Sequence, residues 1–385
     1  MIYADYNGSA PLLPVVRDHL RKRLDSELFA NPNAIHSLSQ KIFQGMEKCR
    51  SIIAEVVGCL PDQLYFNSGS SEGVSHIMHS VLGNSPTNKR VVITSPIEHS
   101  VIPAVLKFYQ ERLGFEIRYA EINEQGQVLI ESVQALLGQN ADKVALVTIM
   151  GANNETGVLQ PYQEIAELCR EHQVDYFCDT TQLIGKGEFN FLQSGIDFAV
   201  CSGHKMGALT GTGFVIAREP KKLTPHIFGS SQEKGLRGGT QHYLGIETLA
   251  VAFKDYAETQ HKLVQLKEAR LNFEAEMKTA FPQVVVIGEQ AGRLAGTTLM
   301  GYPGIHGQAV QIELESHDIF VTTSAACTDN QPETSKVLKA MGVTETVGRS
   351  VIRISLSHSH GKIEYAALAR ALKEAYNKLS KIHSY

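Results

Sequence analysis

The sequence predicts an α/β fold: a large domain on a mostly parallel sheet, joined to a smaller α+β domain. Three observations carry this. From about residue 13 to 250, apolar β-branched runs alternate with stretches whose apolar residues recur at helical spacing. Those β-branched runs are apolar throughout, as expected for strands covered by helices on both faces. The chain has 385 residues, long for one compact core, and its pattern changes in the last third to short strands mixed with helices. The large domain is expected at 13–255 and the small one at 1–12 plus 256–385.

The elements follow in order. LPVVRDHLRKRL and SQKIFQGMEKCRSIIAEVV space their apolar residues as helices do. QLYFN reads as a short strand, SGSSEG as a turn, and VSHIMHSVLG as the next helix. RVVITS and KVALVTIM read as buried strands, VIPAVLKFYQERL and YQEIAELCREH as helices. DYFC, FAVCS and GFVIA close the strand set. The segment from LGIETLAVAF to FEAEMKTAF predicts one long helical stretch leaving the first domain. Beyond it, VVVIG, GTTLMG and SVIRISL predict strands, and AVQIELESH and EYAALARALKEAYNKL helices.

Composition narrows the function. A net charge of −4 gives no electrostatic footprint for nucleic acid or a membrane surface. No run of about 18 apolar residues occurs, so no membrane span is expected. MIYADYNGSAPLLP lacks the basic and apolar regions of a secretory signal, which makes a cytoplasmic enzyme the expectation. No cysteine forms a CxxC pair, so neither a metal site nor a redox pair is suggested. Cys49, Cys59, Cys169, Cys178 and Cys201 lie in apolar or periodic stretches, where inert buried thiols are usual. Cys327 lies instead in the polar, irregular TTSAACTDNQPETSK.

In a sheet of this kind, ligands bind beyond the carboxyl ends of the strands. After QLYFN, Ser70 and Ser71 offer hydroxyls at a helix start, either as an anion site or as a plain cap. After RVVITS, His99 is placed to stack on a flat ligand or carry protons, or to serve the structure alone. After KVALVTIM, Asn153 reads as a turn residue and Asn154 as a candidate polar contact. After DYFC, Asp179 is either a helix-start residue or a carboxylate paired with a cationic ring nitrogen, with Gln182 three residues on. After FAVCS comes Gly203-His204-Lys205, followed by a glycine-rich run. Desolvation and nearby positive charge would make that lysine amine a nucleophile. An anion cradle, a stacking histidine, an acid for a pyridinium and an amine for an aldehyde together match pyridoxal 5′-phosphate.

The sequence resembles the class V aminotransferase group, most closely the NifS/IscS-type cysteine desulfurases. The likeness runs nearly the full length, from YADYNGSAP and NPNAIH through SGSSE, EH, NNETG, CDTTQLIGK, SGHK and QEKGLRGGT to SAACTDN, KVLKAMG and VIRISLSHS. It implies a fold type I, pyridoxal 5′-phosphate-dependent homodimer converting L-cysteine to L-alanine. By position, Lys205 would form the cofactor imine, Asp179 pair with the pyridine nitrogen, Gln182 contact the phenolic oxygen and His99 stack on the ring. Ser70, Ser71, Ser202 and His204 would hold the phosphate, and Thr240 would reach that of the neighbouring protomer. Asn154 and Arg353 would bind the substrate carboxylate, for which the planar guanidinium fork is suited. Cys327 would take the sulfur as a persulfide and deliver it to a protein acceptor, such as an iron–sulfur scaffold or a tRNA-thiolation protein. The alternatives are a selenocysteine lyase, an aminotransferase acting on another amino acid, or a non-catalytic scaffold of a sulfur-transfer complex. YNGSAP, MGALTGTG, RGGT and SAAC depart from the family pattern, and none removes a group the chemistry needs.

Overall fold

The computed structural model describes residues 1–26, 28–323 and 334–381. The strands are β1 (Ile2–Tyr3), β2 (Leu64–Asn67), β3 (Val91–Thr94), β4 (Glu116–Tyr119), β5 (Val144–Thr148) and β6 (Tyr176–Cys178). They continue as β7 (Phe198–Ser202), β8 (Gly213–Ala217), β9 (Val285–Val286), β10 (Thr297–Gly301), β11 (Ile319–Phe320) and β12 (Val351–Ser355). A seven-stranded sheet has the order β2-β8-β7-β6-β5-β3-β4. Only β8 runs against its neighbours, pairing antiparallel with both β2 and β7. The expected mostly parallel α/β sheet is therefore present.

The period-two geometry of a strand divides its side chains between two cores. Ile93, Ala199 and Cys201 face one core, which the helices Pro14–Asp25, Ser37–Val57, Ile130–Gln139, Tyr162–Glu171 and Tyr243–Thr259 complete. Val92, Phe198 and Val200 face the other, beneath Ser70–Leu82 and Val101–Leu113. Every residue of β2, β3, β5, β7 and β8 is buried, which is why these runs are apolar without alternation. The edge strand β4 differs: Glu116 and Arg118 sit among its four residues, and it is largely exposed. A charged, solvated edge carries no apolar-run signal, and it also discourages edge-to-edge pairing.

A separate core gathers Ala4 with residues from Leu266 to Tyr376. There β12, β10 and β9 form an antiparallel sheet, and β1 pairs in parallel with β11. The helical stretch expected to be continuous is broken: Tyr243–Thr259 and Leu263–Ala280 are joined by a 3-10 turn over Gln260–Lys262. Thr259 Oγ1 donates back to Asp255 O at 2.6 Å, a local bond that bends helices. The break also has a packing reason, since Tyr256 belongs to the first core and Leu266 to the second. Among the described residues, no helix is long and apolar enough to cross a membrane.

The second core encloses a charged triad. Glu274 accepts from Arg270 Nη1 at 2.8 Å and from Arg293 Nη1 and Nη2 at 2.8 Å each. All three residues are buried, and the paired guanidinium groups hold the Glu274 carboxyl below the usual range. Breaking such a group leaves uncompensated buried charge. Glu274→Ala is expected to cost about 3–5 kcal/mol of stability, read as a lowered urea midpoint with the unfolding slope unchanged.

Candidate active site

The loops after β2, β3, β5, β6 and β7 open at one end of the large sheet, because these five strands run the same way. They surround a cavity of about 1340 Å³. Its lining brings together Ser70, Ser71, His99, Asn154, Asp179, Gln182, Ser202, His204, Lys205 and Arg353. Thr240 is not part of that lining and is exposed. Cys327 lies outside the described residues.

Lys205 ends a single 3-10 turn, Gly203–Lys205, directly after β7. Gly203 N–H donates to Thr212 O at 2.8 Å, which folds the turn over the start of β8. The amine of Lys205 donates to Asn7 O at 2.7 Å and to Gly8 O at 2.5 Å. The N-terminal YNG segment therefore arches over the lysine. His204 Nδ1 lies 3.1 Å from Ser9 Oγ on the same segment. Burial, helped by Lys205 and Lys186, pushes His204 down to about 4, so its ring is neutral at pH 7.

The hydroxyl cradle is built on close backbone approach. Gly69, at φ 142°, precedes the helix Ser70–Leu82, and no side chain caps that helix. Ser70 and Ser71 are thus not caps; they line the cavity. A Cβ on Gly69 would lie 3.1 Å from Ser202 Oγ, and one on Gly213 would meet Gly69 Cα at 2.6 Å. Only glycine lets β8 pass this close to the cradle. Thr181 Oγ1 lies 2.7 Å from Ser70 Oγ and 2.5 Å from Asp179 Oδ1, linking the cradle to the carboxylate.

Asp179 follows β6 but starts no helix; Thr181–Lys186 is a series of turns. Its Oδ1 also accepts Thr181 N–H at 3.0 Å. The residue is buried, and among the described residues no ion pair holds it. Gln182 donates Nε2–H to Asn7 O at 2.9 Å and accepts at Oε1 from Lys186 Nζ at 2.7 Å. His99 Nδ1 accepts Val101 N–H at 3.3 Å, which leaves the proton of the neutral ring on Nε2. Burial lowers the His99 pKa, with Asp179 opposing and Lys205 adding to the shift.

Asn153 and Asn154 differ in their surroundings. Asn153 is fully buried and its Oδ1 accepts the N–H groups of Glu155 and Thr156, closing the turn. Asn154 lines the cavity, and its carbonyl accepts from Arg353 Nη1 at 2.9 Å. Arg353 lies within β12, with Nη2 on Asp5 Oδ1 at 2.6 Å and a buried Nε that has no partner among the described residues.

Four residues at or behind the site were not named from the sequence: Asp5, Asn7, Glu98 and Lys186. The only local signals were GK four residues after Gln182 and an acid beside His99. Glu98 is buried, with Oε1 2.5 Å from Ser95 Oγ and accepting Met150 N–H at 3.1 Å, while Oε2 has no partner among the described residues. Burial pushes its carboxyl up to about 8, and that of nearby Glu155 to about 7. The thiols of the described cysteines are raised too: Cys49 and Cys59 to about 12, and Cys169, Cys178 and Cys201 further. None of these five supplies a thiolate at neutral pH.

The aminotransferase class V family model matches residues 2–364. The chain is 30% identical over its whole length to cysteine desulfurase 2 of Trichormus variabilis, covering 95% of that protein. The chain belongs to the class V aminotransferase family, among its cysteine desulfurases. A solved NifS-like protein superposes with a TM-score of 0.89 at 27% identity, covering 98% of this chain and all of that one. SspA, solved in complex with cysteine, gives 0.79 at 27% identity over 92% of this chain and 99% of its own.

The buried acid gives a signed pH dependence. The folded-state pKa of Glu98 lies above its unfolded value, so the folded form binds the extra proton and stability falls as pH rises from about 4.5 to about 8. Glu98→Gln mimics the protonated form. The variant is expected to match the wild type near pH 5 and gain on it by about 1.4 kcal/mol per pH unit through that window, as measured by denaturant titration at several pH values.

Proposed function

We propose that the chain is a pyridoxal 5′-phosphate-dependent cysteine desulfurase that converts L-cysteine to L-alanine and takes the sulfur onto Cys327. The observation that carries this reading is one cavity that gathers three unlike groups. These are the Lys205 amine held on backbone carbonyls, the buried Asp179 without an ion-pair partner among the described residues, and the hydroxyl cradle of Ser70 and Ser202. A buried carboxylate lacking a cation suits a protonated pyridine nitrogen. The glycine-bounded cradle suits a phosphate.

Bound there, the cofactor supplies an aldehyde for the lysine and an electron sink for the bond that breaks. The remaining roles belong to the chain. Lys205 would hold the aldehyde carbon and, once released, carry protons. Asp179 would keep the ring nitrogen protonated. Gln182 would donate to the phenolic oxygen through the same Nε2 that now meets Asn7 O. His99, neutral and stacked, would exchange a proton at Nε2. Ser71 and His204 would complete the phosphate site with Ser70 and Ser202, and Thr240, exposed on its loop, would reach the phosphate of a second protomer.

Arg353 would take the substrate carboxylate. Its unpartnered Nε is a donor already desolvated and in place, and Asn154 shares the same rim. The Cys327 thiolate would attack the substrate sulfur. The cysteine Cβ–S bond breaks, a sulfur–sulfur bond forms on Cys327, and Cβ of alanine gains a proton. The sulfur would pass to a protein acceptor in the cytoplasm, an iron–sulfur scaffold or a tRNA-thiolation protein. The large body would comprise 13–255, and the small one 1–12 with 256–385, closing the substrate side.

Incubating the cofactor-loaded protein with L-cysteine and a reducing thiol is expected to give alanine and sulfide in equal amounts. Formation of neither rejects the assignment. Cys327→Ser is expected to retain the visible absorption of bound cofactor and lose protein-bound sulfane sulfur. A variant that still turns over cysteine at the wild-type rate excludes Cys327 as the sulfur carrier.

A further inference from the structure

The buried amine of Lys186 has no part in the roles above, yet it touches two residues that do. Lys186 does not line the main cavity; it lies behind Gln182 and Asn7, which do. Its Nζ donates to Gln182 Oε1 at 2.7 Å, Asn7 Oδ1 at 3.0 Å and Tyr6 O at 3.1 Å. All three partners are acceptors, the arrangement an ammonium requires.

Two consequences follow from this geometry. The first concerns the amides. With Oε1 tied to an N–H donor, the Gln182 amide cannot flip without setting donor against donor. Its Nε2 is therefore fixed toward Asn7 O and the cavity. Asn7 is fixed in the same way. Its Oδ1 faces Lys186, so its Nδ2 points to Thr297 Oγ1 at 3.0 Å and Asn154 O at 3.2 Å. The second concerns charge. The Lys205 amine bonds to the backbone carbonyl of that same Asn7, so two cationic groups converge on one residue. A second cationic group near a nucleophilic lysine makes it easier to deprotonate.

We propose that Lys186 is a positioning residue for the site: its amine fixes which way the Gln182 and Asn7 amides face and sets a second cationic group behind Lys205. The proposal rests on the cofactor reading above. The charged and titratable groups around Lys186 are Lys205, Arg353, Asp5 and Cys201. Burial together with Lys205 and Arg353 lowers the Lys186 pKa, and Asp5, whose carboxylate is tied to Arg353, opposes this. Each amine thus disfavours charge on the other, while the three oxygens around the Lys186 amine oppose the loss of its proton.

The test uses the full-length apoprotein with pyridoxal 5′-phosphate as the probe, across a pH series. Wild type, Lys186→Met and Lys186→Arg are compared for the pH midpoint of cofactor capture, followed by visible absorption, and for thermal unfolding. Lys186→Met is expected to raise the midpoint by about one unit, which is about tenfold slower capture at pH 7. Lys186→Arg, which keeps the charge and the donors, is expected to restore most of it. A purely structural role would lower the melting temperature and leave the midpoint in place, and that result overturns the proposal. If Lys186→Met does not fold, the wild-type apoprotein decides through imine formation with phosphate-free pyridoxal. A midpoint well below the ordinary lysine value of about 10.4 supports the proposal, and an ordinary one overturns it. A wild type that takes up no cofactor at any pH refutes the cofactor reading, and this proposal with it.

Discussion

The carbonyl of Asn7 is the point on which the site depends. It accepts from Lys205 Nζ and Gln182 Nε2, both from loops of the large sheet. Asn7 also reaches the other body: its N–H donates to Ser355 Oγ at 2.9 Å and its Nδ2 to Thr297 Oγ1. One residue near the N-terminus thereby joins two hydrophobic cores at the place where the chemistry is gathered. Take that carbonyl away and Gln182 Nε2 and Lys205 Nζ each lose one acceptor, in a setting where unmade hydrogen bonds are expensive.

Around this joint the protein concentrates groups that water would otherwise keep ionised. Glu98 and Glu155 are raised by burial, while His99 and His204 are lowered by it. The two histidines are neutral and therefore able to donate or accept a proton without first shedding charge. The carboxyls are neutral for most of the range below their shifted values, which limits repulsion near Asp179. With these groups neutral, the remaining charged side chains of the lining have a stronger influence on whatever binds.

Much of the fold was legible because buried parallel strands are apolar end to end, as in FAVCS and GFVIA, which coincide with β7 and β8. The strand ends then named the cavity residues, since Asp179 and Lys205 lie directly beyond β6 and β7. What escaped was of three kinds. The charged edge β4 has no apolar signal, and the break at Gln260–Lys262 reflects a change of packing partner that helical periodicity does not record. Glu98 and Lys186 acquire their meaning from Met150 and from Tyr6 and Asn7, partners 52 or more positions away. Thr240 stands apart from the cavity.

The pairing of β1 with β11, and the bond from Asn7 to Ser355 across 348 positions, also bear on when the site comes into being. Residues early in the sequence are among the last to find their partners, because Ser355 in β12 follows Asn7 by 348 positions. The large sheet can assemble earlier from its own neighbouring strands. Until β12 is made, the segment that accepts from the Lys205 amine lacks its anchor on Ser355, so a truncated or nascent chain leaves that amine without its completed roof.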